Sequence, residues 1–270
     1  MQGYRPPGLG GTPPVIKNLL IINVLLFFAT QMFGSIDLVR YLALYYPESP
    51  HFMPYQFVTH MFMHGGLTHL FFNMFALWMF GRVLEGVWGS KRFLIYYFVT
   101  GLGASALHLF VNYLTIEDMK TAAVAFQNTP SPEAFKAFVN DHLSRPSNYV
   151  LDLINRYFDN PSNANIAGEA SSIVNEVIKH NINVPTIGAS GAVFGVLLAF
   201  GMLFPNTELM LLFPPMPIKA KWLVIGYGIL ELFLGISNQG GNIAHFAHLG
   251  GMIFGFILIK YWNSQGKTFY

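Results

Sequence analysis

A succession of long apolar runs restricts this chain more than any other feature. Residues 18–33, 67–80, 93–114, 189–204, 222–236 and 244–262 are largely apolar. Hydrophobic residues make up 53% of the chain and charged ones 10%, with a mean hydropathy of +0.44. A soluble domain carries about 25% charged residues. The runs therefore predict an all-α membrane protein, a bundle of six transmembrane helices, since a helix satisfies its own backbone polar groups in lipid.

Residues 1–17 read as a Gly- and Pro-rich cytoplasmic tail. No small-residue cleavage site follows the first run and further runs do, so it is a retained helix, not a signal peptide. Residues 18–114 then carry helices one to three. Between the first two lies a loop, broken by Pro47, Pro50 and Pro54, that rests partly in the membrane surface. Gly65-Gly66 precedes helix two, and residues 81–92, with Arg82, Lys91 and Arg92, read as a polar turn. Residues 115–183 break the membrane pattern and form a soluble helical insertion. Within it, Ser131-Pro132-Glu133 is an N-cap, a proline at the first helical position and an acid in the first turn. Apolar residues follow at Ala134, Phe135, Phe138 and Val139, and recur at helical spacing at Leu151, Ile154 and Phe158 and at Ile173, Val177 and Ile178. Two to four small helices are expected. Residues 184–263 supply helices four to six, with a short 237–242 connection, and 264–270 form a second tail.

The basic residues Arg5, Lys17, Arg82, Lys91, Arg92, Lys219, Lys221, Lys260 and Lys267 fall at the two termini and in the 2–3 and 4–5 connections. Basic short loops stay inside. Both termini are therefore expected in the cytoplasm, as in a multi-pass protein of a bacterial inner membrane, and the insertion outside. The net charge of +2, spread thinly, leaves no footprint for nucleic acid. The absence of cysteine excludes a disulfide framework, a thiol nucleophile and thiolate metal sites.

In this topology helices two, four and six all run from outside to inside, so polar residues near their starts share a depth. Pro185 and the glycines of Gly188-Ala189-Ser190-Gly191 mark the start of a helix, whose first N–H groups lack intrahelical partners. The run 189–204 covers about 24 Å of a hydrocarbon core about 30 Å thick. Ser190 then lies roughly 6 Å below the outer interface, in a wet or protein-lined cavity. A hydroxyl, free N–H groups and water suit acyl chemistry. A small-residue packing contact is the other reading of the same residues.

His69 and Asn73, at i and i+4, share a face and either can donate to an oxyanion. His60 and His64 are assigned to structure. Helix six offers His245 and His248 as rival bases, followed by Gly251 and Gly255, which match Gly191 and Gly195 of helix four. Two such small-residue faces permit close approach, bringing Ser190 and His248 within reach as nucleophile and base. A polytopic transporter or a metal-binding membrane protein is the alternative, as is a non-catalytic scaffold. Against a metalloprotease, no His-Glu-x-x-His occurs, and the one acid among the helical candidates is Glu231.

At three places the residues resemble the rhomboid intramembrane serine proteases: His60, His64, His69 and Asn73; Gly188-Ala189-Ser190-Gly191; and His248 with Gly251 and Gly255. The resemblance covers the six-helix core without the insertion. It implies Ser190 as nucleophile and His248, not His245, as its base, with no aspartate. It further implies an oxyanion hole of His69, Asn73 and the Ser190 N–H. No cofactor or metal is implied, and the substrates are transmembrane proteins in the lipid bilayer, cleaved near its outer face. Glu85 and Gly89 resemble the family's pattern at the end of helix two. Tyr55-Gln56 stands where the family usually has Trp-Arg, and the insertion is absent from the minimal fold.

Overall fold

A computed structural model describes residues 11–32, 37–210, 215–237 and 243–266. The expected N-terminal tail, the 237–242 connection and the C-terminal tail lie largely outside them. The helices are α1 Pro14–Met32, α2 Leu38–Leu42, α3 Gln56–Thr59, α4 Leu67–Ala76, α5 Arg82–Trp88, α6 Ser90–Asn128, α7 Pro132–His142, α8 Asn148–Asp159, α9 Ala164–Ile182, α10 Ser190–Leu203, α11 Ala220–Ile236 and α12 Ile243–Ser264. A short antiparallel ribbon between α10 and α11, β1 Glu208–Met210 and β2 Pro217–Lys219, pairs Leu209 with Ile218.

Pro14–Met32, Leu67–Trp88 and Ser90–Asn128 are each long and apolar enough to cross a membrane. Outward-facing Leu25 and Phe28 of α1, Phe71 and Phe72 of α4, and Ile229, Phe233 and Ile236 of α11 are exposed. Apolar surface of this extent fits lipid, not water, and the chain is an all-α, multi-pass membrane protein. α10 is shorter, with 14 residues, or about 21 Å of helix.

The chain forms two compact units. One comprises Met1–Leu44, Met53–His108 and Pro185–Tyr270, the other Tyr45–Phe52 and Leu109–Val184. The first is built on buried Ile16, Leu77, Phe93, Tyr96, Ala192 and Val196. The second has its own core, in which Phe126 of α6 meets Phe135 of α7, Leu153 and Tyr157 of α8 and Val174 of α9. Ser131 caps α7 as expected, accepting from the Ala134 N–H.

Several helix limits differ from the sequence expectation. α1 starts at Pro14, inside the expected tail. Residues 81–92 do not form a turn: α4 continues through a π-helical turn, Leu77–Gly81, into α5, and the break comes at Gly89 with φ 75°. Gly81 serves packing, since a Cβ there would meet Ile16 and Phe93. Arg82 lies over the Trp78 ring at 4.4 Å, keeping its charge at the helix surface. α6 runs on past residue 114 to Asn128, with Ile116, Met119, Ala123 and Phe126 buried at helical spacing. In α8 the buried stripe is Val150, Leu153, Ile154 and Tyr157; of the expected Leu151, Ile154 and Phe158, Ile154 alone belongs to it. Leu151 and Phe158 are exposed.

Glu85 ties the two ends of this layout together. Its carboxylate is almost fully buried and accepts the Val15 and Ile16 N–H groups at 3.0 and 2.9 Å and the Ser90 hydroxyl at 2.7 Å. An anion there satisfies the orphan donors that open α1 and the positive end of its dipole. Glu85→Gln replaces one acceptor oxygen with a donor facing an N–H. It should cost about 1–3 kcal/mol, read as a lowered thermal midpoint in detergent.

Candidate functional site

Ser190 opens α10 and is half-buried. The first intrahelical bond of this turn runs from the Val193 N–H to the Ala189 carbonyl, so the Ser190, Gly191 and Ala192 N–H groups have no intrahelical acceptor. The segment leading into the serine is strapped down at three points. Leu44 and Thr186 exchange both backbone hydrogen bonds, at 2.9 and 2.8 Å. The Thr186 hydroxyl bonds His108 Nε2 at 2.7 Å. The Gly188 N–H donates to the His60 carbonyl at 2.9 Å.

His60 is itself fixed, with Nδ1 2.7 Å from the Gln56 carbonyl and Nε2 3.0 Å from Ser105 Oγ. Its expected structural role is therefore visible in its bonds. His64 is buried, yet among the described residues neither of its ring nitrogens has a hydrogen-bond partner; it meets His69 edge-on at 4.9 Å. Thr186, Ser105 and His108 were not singled out in the sequence. The available signal was polar side chains at 105 and 108 inside an apolar run.

Gly188 has φ 134°, and a Cβ on it would stand 3.1 Å from His69 Nε2 and 3.5 Å from Ser190 Oγ. His69 and the serine therefore flank one point at the start of α10. Asn73, one turn beyond His69, is buried and donates one Nδ2 proton to the His69 carbonyl at 2.9 Å. Its amide has a second proton to give.

α12 meets α10 backbone to backbone. A Cβ on Gly251 would collide with the Gly191 carbonyl, and one on Gly191 would approach the Ala247 carbonyl at 3.5 Å. The expected glycine faces meet only at this level. Gly195 and Gly255 both abut α6, at Thr100 and Tyr96, and the Tyr96 hydroxyl donates to the Gly195 carbonyl at 2.8 Å. One turn after Ser190, Phe194 stacks on His248 with ring centroids 4.1 Å apart and planes 5° from parallel. His248 thus lies beside the α10 face that carries Ser190. Among the described residues, Ser190 Oγ and His248 form no hydrogen bond; such bonds are often loose without substrate.

Glu231 of α11 reaches both histidines of α12. Its Oε2 lies 2.6 Å from His245 Nδ1 and 3.1 Å from His248 Nδ1, the latter off the line of a hydrogen bond. These three side chains offer ligand atoms within 4.8 Å of one another, the spacing of a cation site. A surface cleft lined by Trp88, Ser90, Arg92, Ile95 and Trp262 lies toward the other end of α12.

Sequence comparison matches the rhomboid domain over residues 51–119 and 164–264, more than half of the chain. The chain belongs to the rhomboid family. The gap between these two matches falls within the segment read as an insertion into the rhomboid core. Among curated rhomboid relatives, Rhomboid protein 1, mitochondrial, of Saccharomyces cerevisiae is 33% identical over 100 residues, covering 37% of this chain and 29% of that protein. Rhomboid protease GluP of Bacillus subtilis is 28% identical over 108 residues, covering 38% and 21%. The match thus spans less than a third of either relative.

Where rhomboids usually carry Trp-Arg, Gln56 does the anchoring here. It is fully buried, accepts the Met53 N–H at 3.1 Å and donates to the Tyr41 carbonyl at 3.2 Å.

The α10–α12 contact sets a stability test. Gly251→Ala forces a methyl into a backbone carbonyl and should cost at least about 1–3 kcal/mol. Gly226→Ala on α11, with nothing within 4 Å of the added Cβ, should be neutral or stabilising by up to about 1 kcal/mol. Paired thermal melts in one detergent measure the difference.

Proposed function

We propose that this rhomboid is a serine endopeptidase that cleaves transmembrane segments of membrane proteins near the outer face of the bilayer. Family membership and the protease named among its relatives support the reaction class. The single observation that carries the residue assignment is the stacking of Phe194 on His248, which sets the imidazole against the face of α10 that begins with Ser190. His248 takes the serine proton as Oγ attacks the scissile carbonyl. His69, Asn73 and the Ser190 N–H hold the resulting oxyanion. Protonated His248 then returns its proton to the leaving amine, and water hydrolyses the acyl-enzyme.

His69 beside Gly188, and the N–H groups at the start of α10, supply donors at one point in space. The distribution of Lys and Arg supports cytoplasmic termini, with residues 115–183 outside as an extracytoplasmic helical insertion. The short α10 then ends its N-terminus below the outer interface, where water reaches the serine.

A fluorophosphonate, which phosphonylates an activated serine, should label the purified protein, and Ser190→Ala should abolish both the label and cleavage of a transmembrane substrate. His248→Ala should abolish proteolysis, whereas His245→Ala should retain part of it. His69→Ala and Asn73→Ala should slow turnover by up to about 10²- to 10³-fold, the usual effect of losing one oxyanion donor. Wild-type cleavage by Ser190→Ala would overturn the assignment.

A further inference from the structure

Glu231 is an acid in an apolar helix, 7% exposed. A buried carboxylate in a membrane span is costly and needs a partner. Among the described residues its ion-pair partners are His245 and His248, with no Lys or Arg. An ionised carboxylate only accepts hydrogen bonds. The in-line contact at 2.6 Å therefore requires a proton on His245 Nδ1, and the same oxygen favours a proton on His248 Nδ1, 3.1 Å away. Phe194, parallel to the His248 ring, fixes the plane of that ring. A small change in the Glu231 side-chain torsions brings Oε2 into line with the Nδ1 proton.

We infer that Glu231 is a positioning residue for His248: it holds the tautomer with the proton on Nδ1, so that Nε2 keeps the lone pair that accepts the serine proton. This rests on the reading of Ser190 and His248 as nucleophile and base, for which family resemblance supplies no acid. The site then works as a serine–histidine pair with a carboxylate behind the imidazole, supplied by α11. His245 shares that carboxylate and limits how far it can move toward His248.

A divalent cation is the competing occupant of the same three side chains. Ligand atoms around tetrahedral zinc, each about 2.0–2.1 Å from the ion, stand about 3.3 Å apart. The 2.6 Å between Oε2 and His245 Nδ1 is instead the length of a direct hydrogen bond. That pair is therefore closed on itself.

The test uses the full-length protein in detergent, with steady-state cleavage of a transmembrane substrate, fluorophosphonate labelling, and ¹⁵N imidazole shifts of His248, which report the nitrogen that bears the proton. Glu231→Gln presents an amide N–H₂ that can donate to Nδ1 and reverse the tautomer. It should lower kcat by between about 10-fold and 10⁴-fold, the upper end being the effect of changing a triad carboxylate to its amide. KM should stay within a factor of about two, labelling should slow in parallel, and the His248 proton should move from Nδ1 toward Nε2. Glu231→Asp, which restores the charge on a shorter stem, should recover part of kcat and the Nδ1 proton.

Wild-type kcat and an unchanged His248 tautomer in Glu231→Gln would overturn the inference. So would zinc inhibition that Glu231→Gln abolishes without altering kcat in chelated buffer, which would make the cluster a cation site. Activity persisting in Ser190→Ala overturns the nucleophile assignment instead, whatever the Glu231 variants do.

Discussion

α10 and α12 touch through their backbones at Gly191 and Gly251, and the neighbouring parts of the site take their positions from that contact. Lipid gives helices no hydrophobic reason to associate with one another, so close packing and hydrogen bonds must do it. A Cβ at Gly251 would run into the Gly191 carbonyl of α10, and one at Gly191 into Ala104 of α6. α6 closes the other side. The Thr100 hydroxyl bonds back to the Tyr96 and Tyr97 carbonyls, which turns its methyl group toward Gly195 and Gly255, while the Tyr96 hydroxyl bonds the Gly195 carbonyl. Once the helices sit at this spacing, Phe194 falls on His248 and Ser190 comes to the same face. The proposed nucleophile and base thus take their places from the smallest side chains in the bundle.

Much of this was legible because membrane helices advertise themselves by composition. The apolar runs located α1, α4, α6, α10, α11 and α12, and Ser131-Pro132-Glu133 marked the start of α7. Their limits were harder. Gly81 and Arg82 look like a turn when taken as residue types, but Gly81 is a packing surface for Ile16 and Arg82 lies along Trp78. α6 changes from apolar to amphipathic near residue 114 without ceasing to be a helix. In α8, apolar residues at 150, 151, 153, 154, 157 and 158 make a stripe so wide that periodicity does not select which edge is buried. That choice belongs to the helices packed against it.

The functional cluster divides in the same way. Ser190, His69, Asn73 and His248 stood out as polar residues at similar depth on parallel helices, and the family motif supplied roles for them. The straps that hold the serine segment did not, because they join residues remote in sequence through backbone groups, and a backbone carbonyl carries no signature in the sequence. Glu231 was visible as an isolated acid; its double contact with α12 depends on the rotation of α11 about its own axis, which composition leaves undetermined.

The strap around Thr186 also bears on the order in which the chain is made. His108 precedes Thr186 by 78 residues, which at synthesis rates of about 5–20 residues per second separates them by roughly 4 to 16 s. For that interval the Leu44 amide is present without the Thr186 carbonyl that later accepts from it. An unmet backbone amide next to apolar helices is costly. The arrival of the serine segment therefore supplies the acceptor that this amide has in the folded chain, and the packing around Leu44 is complete only after Thr186 has been made.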